Sequence, residues 1–236
     1  MLQLQNLSTG FAKKSVTLHQ NISMRVDAGN LVLLLGPNGI GKSVLLKTIA
    51  GLQAPLSGEV SVNQINIHQT TPEIRASLSS ILLATPPAIE QMKVSEMVLS
   101  GRQRFITGWK NPAQSDLAAV ENAMQKTGIH DLKNASFGAL SDGVKQKVML
   151  ARCLAQDSQL ILLDEPLAFL DYPSRINFLQ LLSHLTKTEA KTIIYSSHDL
   201  QLSINHCDHI IALTQNQCDF YQNPKELVLT DIFPVQ

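Results

Sequence analysis

Long apolar runs are missing from this 236-residue chain. Leu31–Leu35 shows the scale of the runs present, whereas a membrane span needs about 20 apolar residues. No transmembrane segment is expected. An excess of one charge is also missing. Lys and Arg number 19, Asp and Glu number 19, and the formal net charge is zero. Without a basic block, nothing general draws the chain to nucleic acid or anionic lipid, and no nucleic-acid partner is expected. Cysteine is scarce: Cys153, Cys207 and Cys218 are an odd number at no metal-ligand spacing. Free, mostly buried thiols in a reducing compartment are expected, not a disulfide framework. The start, Met1-Leu2-Gln3-Leu4-Gln5, lacks the charged leader and apolar stretch of a secretory signal. Repeats and low-complexity tracts are absent too.

Apolar side chains are plentiful. A content of 44% hydrophobic against 16% charged residues excludes a disordered chain. The length suits one domain with a large core. Leu2 and Leu4, Val16 and Leu18, and Ile22, Met24 and Val26 alternate as strands with one buried face. Leu31–Leu35 is apolar at every position, as in a parallel strand covered on both sides. Val44–Ala50 reads as a helix capped by Gly51, and Gly58–Val62 returns to alternation. Further apolar runs stand at Leu160–Leu163, Thr192–Tyr195 and Ile210–Leu213, with a helix over Tyr172–Leu185 opened by Pro173. Strands alternating with helices predict an α/β fold with a parallel sheet. The helix-free start predicts an added antiparallel sheet. Pro86–Leu140 lacks a strong strand and predicts a helical lobe, including a helix capped by Ser115, carrying Leu117, Val120 and Met124, and closed by Gly128.

Gly36-Pro37-Asn38-Gly39-Ile40-Gly41-Lys42-Ser43 fits the P-loop pattern, after a buried strand and before a helix. Glycine permits the backbone angles that turn successive N–H groups inward onto phosphate. The helix start adds its dipole. Lys42 is expected to reach the β- and γ-phosphates and the Ser43 hydroxyl to bind Mg²⁺. The strand Leu160–Leu163 runs into Asp164-Glu165. Two acids after a strand alone describe a solvated turn. Downstream of a P-loop, Asp164 suits Mg²⁺, and Glu165, on the other side of the strand, suits polarising an attacking water.

Leu140-Ser141-Asp142-Gly143 precedes a helix shortly before that acidic strand. Ser141 is a good N-cap, and Gly143 leaves the backbone open to an anion. In this order and spacing the tetrapeptide resembles the signature of ABC ATPases, and the resemblance covers nearly the whole chain. It implies ATP hydrolysis by a head-to-tail dimer, in which Ser141, Asp142 and Gly143 contact the ATP of a second copy. It implies a D-loop at Leu170-Asp171, a switch histidine at His198 acting with Glu165, and adenine stacking by Phe11, which is also a plausible core residue. ATP and Mg²⁺ are the implied cofactors.

Within the family the chain is similar to the ATPases of iron-siderophore, haem and cobalamin importers. The residues concerned are Leu140–Gly143, Val94–Val98 leading to Ser100-Gly101-Arg102, and Leu167–Asp171. That likeness implies membrane permease partners, indirectly a substrate-binding protein, and a peripheral place at the cytoplasmic face of the membrane. Two positions depart from the pattern. Val144 stands where the signature has Gln or Glu, and Thr85 where a Gln is expected to link the site to the lobe. Gln91 is the alternative, against which Pro86 and Pro87 argue by stiffening the chain. A tail ending soon after Pro224 predicts no regulatory domain. The expected organisation is one domain over 1–236. Residues 1–85 and 141–236 form the core with its antiparallel subdomain, and 86–140 the lobe. The rival readings are a soluble non-transport ABC ATPase, a monomeric P-loop kinase or GTPase, and a catalytically weakened interaction subunit.

Overall fold

The alternating start of the chain forms β1 (Leu2–Phe11) and β2 (Val16–Val26), antiparallel partners with Leu2 opposite Val26 and Phe11 opposite Val16. Leu2, Leu4, Leu7, Ile22 and Val26 are its buried set. The chain then leaves this sheet for β3 (Leu31–Leu35) and returns as β4 (Ser57–Val62) and β5 (Ile65–Asn66). The antiparallel sheet has the order β2-β1-β4-β5. The structure, a computed structural model, describes residues 1–85, 89–106, 111–215, 217–227 and 232. Pro86 and Pro87 fall outside the described residues.

The second sheet adds β6 (Ser79–Leu82), β7 (Leu160–Leu163), β8 (Thr192–Ser196), β9 (His209–Leu213) and β10 (Cys218–Tyr221), in the order β10-β9-β3-β8-β7-β6. All neighbours are parallel except β10, which runs antiparallel to β9. β3 explains its own composition. Leu31, Leu33 and Leu35 join one apolar cluster, while Val32 and Leu34 join another on the opposite face. A strand wedged between two cores favours apolar residues on both faces.

Helices α1 (Lys42–Ile49), α2 (Pro72–Leu78), α3 (Val94–Leu99), α4 (Gln114–Lys126), α5 (Asp142–Ala155), α6 (Tyr172–Glu189) and α7 (Leu200–Ile204) cover the sheet and build the lobe. α1 stops at Gly51, whose φ of +74° ends the helix as its composition predicts. The start of α4 differs from expectation. Ala113, not Ser115, is its N-cap, and the Ala113 N–H donates to Asp116 Oδ2 at 3.0 Å. Leu117 is consequently 45% exposed, while Val120, Ala123 and Met124 face inward. The inward place in the first turn belongs to Asp116, which pairs with Arg102 at 2.9 Å. α3 and α4 pack on α5, and one apolar cluster runs from Val94, Val120 and Met124 through Leu150 to Ile161 and Ile193.

Candidate functional site

The phosphate loop joins the end of β3 to α1. Gly36 is buried, Pro37, Ile40, Gly41 and Ser43 are half-buried, and Asn38 and Gly39 are exposed. Gly41 is the N-cap of α1 with φ +108°, a conformation in which any Cβ is strained. A Cβ there would also come within 2.9 Å of His19 Cε1. A Cβ at Gly39 would meet nothing within 4 Å, so the loop is open on that side. Lys42 is only 5% exposed, and its Nζ donates to Gly36 O at 2.7 Å and Pro37 O at 3.1 Å. Burial pushes the Lys42 ammonium below its ordinary pKa, against the opposing pull of Glu165 and Asp164. The loop and the acidic strand end therefore share one site. An ammonium has three donors, and a phosphate oxygen is a stronger partner for them than a neutral carbonyl.

The acids stand just past β7. The Asp164 N–H donates to Leu82 O, and its carboxylate is buried. Glu165 adopts φ +51°, a left-handed turn just past the strand and not a continuation of its alternation. This conformation costs a non-glycine residue roughly 1–2 kcal/mol, and such strain concentrates at functional positions. Ser196, at the end of β8, stitches the pair together. Its hydroxyl accepts from the Glu165 N–H at 2.8 Å and donates to Asp164 Oδ1 at 3.0 Å. Ser196 has no pattern of its own in the sequence. Its place beside Ser197-His198 was the available hint. His198 Nε2 lies 2.6 Å from Glu165 Oε1, so its N–H donates to the carboxylate and holds that side chain in one orientation.

The other expected residues make contacts of their own. Phe11 is 42% exposed at the tip of the β1–β2 hairpin, which removes the core alternative for it. Ser141 caps α5, accepting from the Val144 N–H at 3.4 Å, and Asp142 is exposed beside it. Val144 packs partly buried against the core cluster. A Cβ on Gly143 would fall 2.9 Å from Leu170 Cδ2, so the start of α5 touches the loop that follows the acids. Asp171 caps α6, accepting from the Ser174 N–H at 2.9 Å, and hydrogen bonds from the Ser174 hydroxyl and N–H hold its carboxyl below the usual range. Thr85 is exposed and lines a groove of about 660 Å³ between core and lobe, together with Leu52, Arg75, Met97, Met149 and Arg152.

Phosphate and Mg²⁺ fit what is present. Among the described residues no cage of three His, Cys, Asp or Glu exists. Mg²⁺ needs none, since it keeps several waters and takes one or two protein oxygens beside phosphate. Ser43 and Asp164 are suitable donors. Among the described residues no helix is long and apolar enough to cross a membrane.

A family model described as ABC transporter matches residues 19–168. The chain is similar to the achromobactin transport ATP-binding protein of Dickeya dadantii (strain 3937), with 37% identity over 225 residues, 95% of this chain and 82% of that protein. It is similar to the ferric enterobactin transport ATP-binding protein of Escherichia coli (strain K12), with 34% identity over 236 residues, 98% of this chain and 84% of that protein. Among solved structures it resembles cbiO1 from Clostridium perfringens, part of the ABC transporter complex cbiONQ. There the TM-score is 0.83 at 27% identity, over 95% of this chain and 89% of that one.

Proposed function

The chain belongs to the ABC transporter family, and from that premise we propose that it is the ATP-hydrolysing subunit of an importer for an iron complex (siderophore or haem) or cobalamin. A relative named for ferric enterobactin transport supports the cargo class. The observation that carries the catalytic reading is the His198–Glu165 contact at 2.6 Å, beside Asp164 and within the field of Lys42.

In this reading the N–H groups of Gly36–Ser43 and the Lys42 ammonium bind the phosphates, and Phe11 stacks on adenine. Ser43 and Asp164 hold Mg²⁺, which when bound neutralises charge on the phosphate oxygens. Glu165 takes a proton from the attacking water, oriented by His198. Ser196 keeps the Asp164 carboxylate and the Glu165 backbone in fixed register, so metal site and base do not drift apart. Ser141, Asp142 and Gly143 belong to the ATP of a second copy, and Asp171 lies on the facing loop. Gly143 borders Leu170 and Phe169, in the loop just before Asp171, which supports this assignment.

The groove beside Thr85 is where a permease subunit docks. Leu52, Leu83 and Ile89 are exposed apolar residues on it, and Arg75 and Arg152 are its cations. A substrate-binding protein acts beyond the permease, and the chain sits peripherally at the cytoplasmic face. The lobe, 86–140, moves with the groove. Thr85 serves in place of the usual Gln through a bridging water, which is nearly as good as a direct contact.

Glu165→Gln tests the reading. General-base assistance is worth about 10²–10⁴ in rate. Turnover should fall within that range, while ATP drives a dimer visible by size-exclusion chromatography. Half the wild-type rate, or a monomer with saturating ATP, would refute it.

A further inference from the structure

Arg175, in the first turn of α6, has no place in the scheme above, yet its guanidinium joins two loops of the site. Its Nε donates to Leu170 O at 2.9 Å, and its Nη1 donates to Asp199 Oδ2 at 3.1 Å. Leu170 precedes Asp171 in the exposed loop that touches Gly143. Asp199 follows His198. The side chains of Arg175 and Asp199 keep 32% and 24% of their exposure, so the ion pair by itself adds little stability. Its geometry is specific all the same. Asp199 divides its oxygens, Oδ1 accepting from the Leu202 N–H at the start of α7 and Oδ2 taking Arg175. Its own N–H donates to Ser197 Oγ at 3.1 Å. His198 is therefore held between two anchored neighbours. Arg175, Glu165, Ala168 and Ser196–Asp199 surround one small cavity.

We propose that Arg175 is a positioning residue that ties the Leu170–Asp171 loop to the Glu165–His198 pair. The inference rests on the roles of Glu165 and His198 given above. The contacts run without a break from Gly143 through Leu170, Arg175 and Asp199 to His198 and Glu165. A second copy pressing on the exposed surface of Phe169 and Tyr172, 52% and 63% exposed, displaces Leu170 and with it the guanidinium. A planar fork transmits such a displacement because both acceptors are held by one rigid group. A lysine carries its donors on a flexible point charge, not a rigid fork, and transmits less.

The test is steady-state ATPase kinetics of Arg175→Ala, Arg175→Lys, Asp199→Asn and the double variant Arg175→Ala/Asp199→Asn. For Arg175→Ala, kcat should fall about tenfold or more, with KM for ATP within about threefold of wild type. Arg175→Lys should lie between alanine and wild type. The double variant should be no worse than the poorer single, the mark of groups acting as one unit. In a Glu165→Gln background, Arg175→Ala should still form the ATP-dependent dimer. An unchanged kcat, a loss wholly in KM, multiplying effects in the double variant, or a failure to dimerise would each overturn the inference. Should Arg175→Ala not fold, Arg175→Lys decides, and full activity there refutes the role. If Glu165→Gln itself keeps its activity, the parent reading fails and takes this one with it. If Glu165→Gln is inactive and Arg175→Ala is not, only this one fails.

Discussion

His19 and His68 brace the two ends of α1. The His19 ring edge lies against Gly41, and its Nδ1 pairs with Thr9 Oγ1 at 2.7 Å inside the protein. The His68 Nε2–H donates to Thr48 O at 2.9 Å. Burial is the main force lowering the pKa of both, opposed by a backbone contact at Ile40 for His19 and at Thr48 for His68. The sign follows from linkage. Each folded ring takes up a proton less readily than in the unfolded chain, which protonates below about pH 6.5. Their contribution is complete above that pH and is lost as pH falls below it. Urea denaturation should give a lower midpoint at pH 5.5 than at 7.5, and His19→Gln should shrink the difference. A midpoint that rises on acidification contradicts this. Cysteine has no such role: burial pushes the Cys153 thiol up to about 11, so it is not a nucleophile at neutral pH.

At the scale of elements, the lobe hangs on a buried ion pair. Arg102 Nε meets Asp116 Oδ1 at 2.9 Å, and its Nη1 donates to Ala155 O at 3.0 Å. One guanidinium thus ties the turn after α3 to the start of α4 and the end of α5. Removing one partner leaves the other charge buried, at a cost of about 3–5 kcal/mol. Asp116→Ala should lower unfolding free energy by that order in urea titrations, with ATP affinity nearly unchanged. A loss under about 1 kcal/mol would mean that water reaches Arg102 and the pair is not what holds the lobe. The same pair explains why the pattern Leu117, Val120, Met124 misleads. An apolar count assigns every large apolar residue to the inner face, but a charged group with a buried partner claimed that face first.

For the whole molecule, the proposed function places coupling at the groove and catalysis elsewhere. Leu52 is 60% exposed on its wall and belongs to none of the phosphate-binding residues. Leu52→Glu places a charge where an apolar partner would bury it, which is costly without a counter-ion. Basal ATPase in detergent-free solution should stay within about twofold of wild type. Co-purification with the permease should fall at least tenfold. Retention of the full complex would move the docking surface elsewhere.

Much of this was legible along the chain, because some physics is local. An apolar pentapeptide before a Gly-rich turn reads as a doubly covered strand, and Gly36–Ser43 follows it as a loop whose backbone suits phosphate. The order of Lys42, Ser141–Gly143, Asp164-Glu165 and His198 was enough to suggest a family. Three-dimensional contacts decided the rest. Ser196 lies 31 residues from Glu165, and Arg175 lies 24 from Asp199. No periodicity links such pairs, since parallel strands align their ends across whole intervening helices. Glu165 turns by a positive φ that its residue type does not advertise. Phe11 was open between ring-stacking and core until the hairpin placed it outside. Sequence by itself determined which groups the chain can offer to a phosphate. Tertiary structure alone decided which of them share a hydrogen bond, because that depends on the ends of β7 and β8 lying side by side.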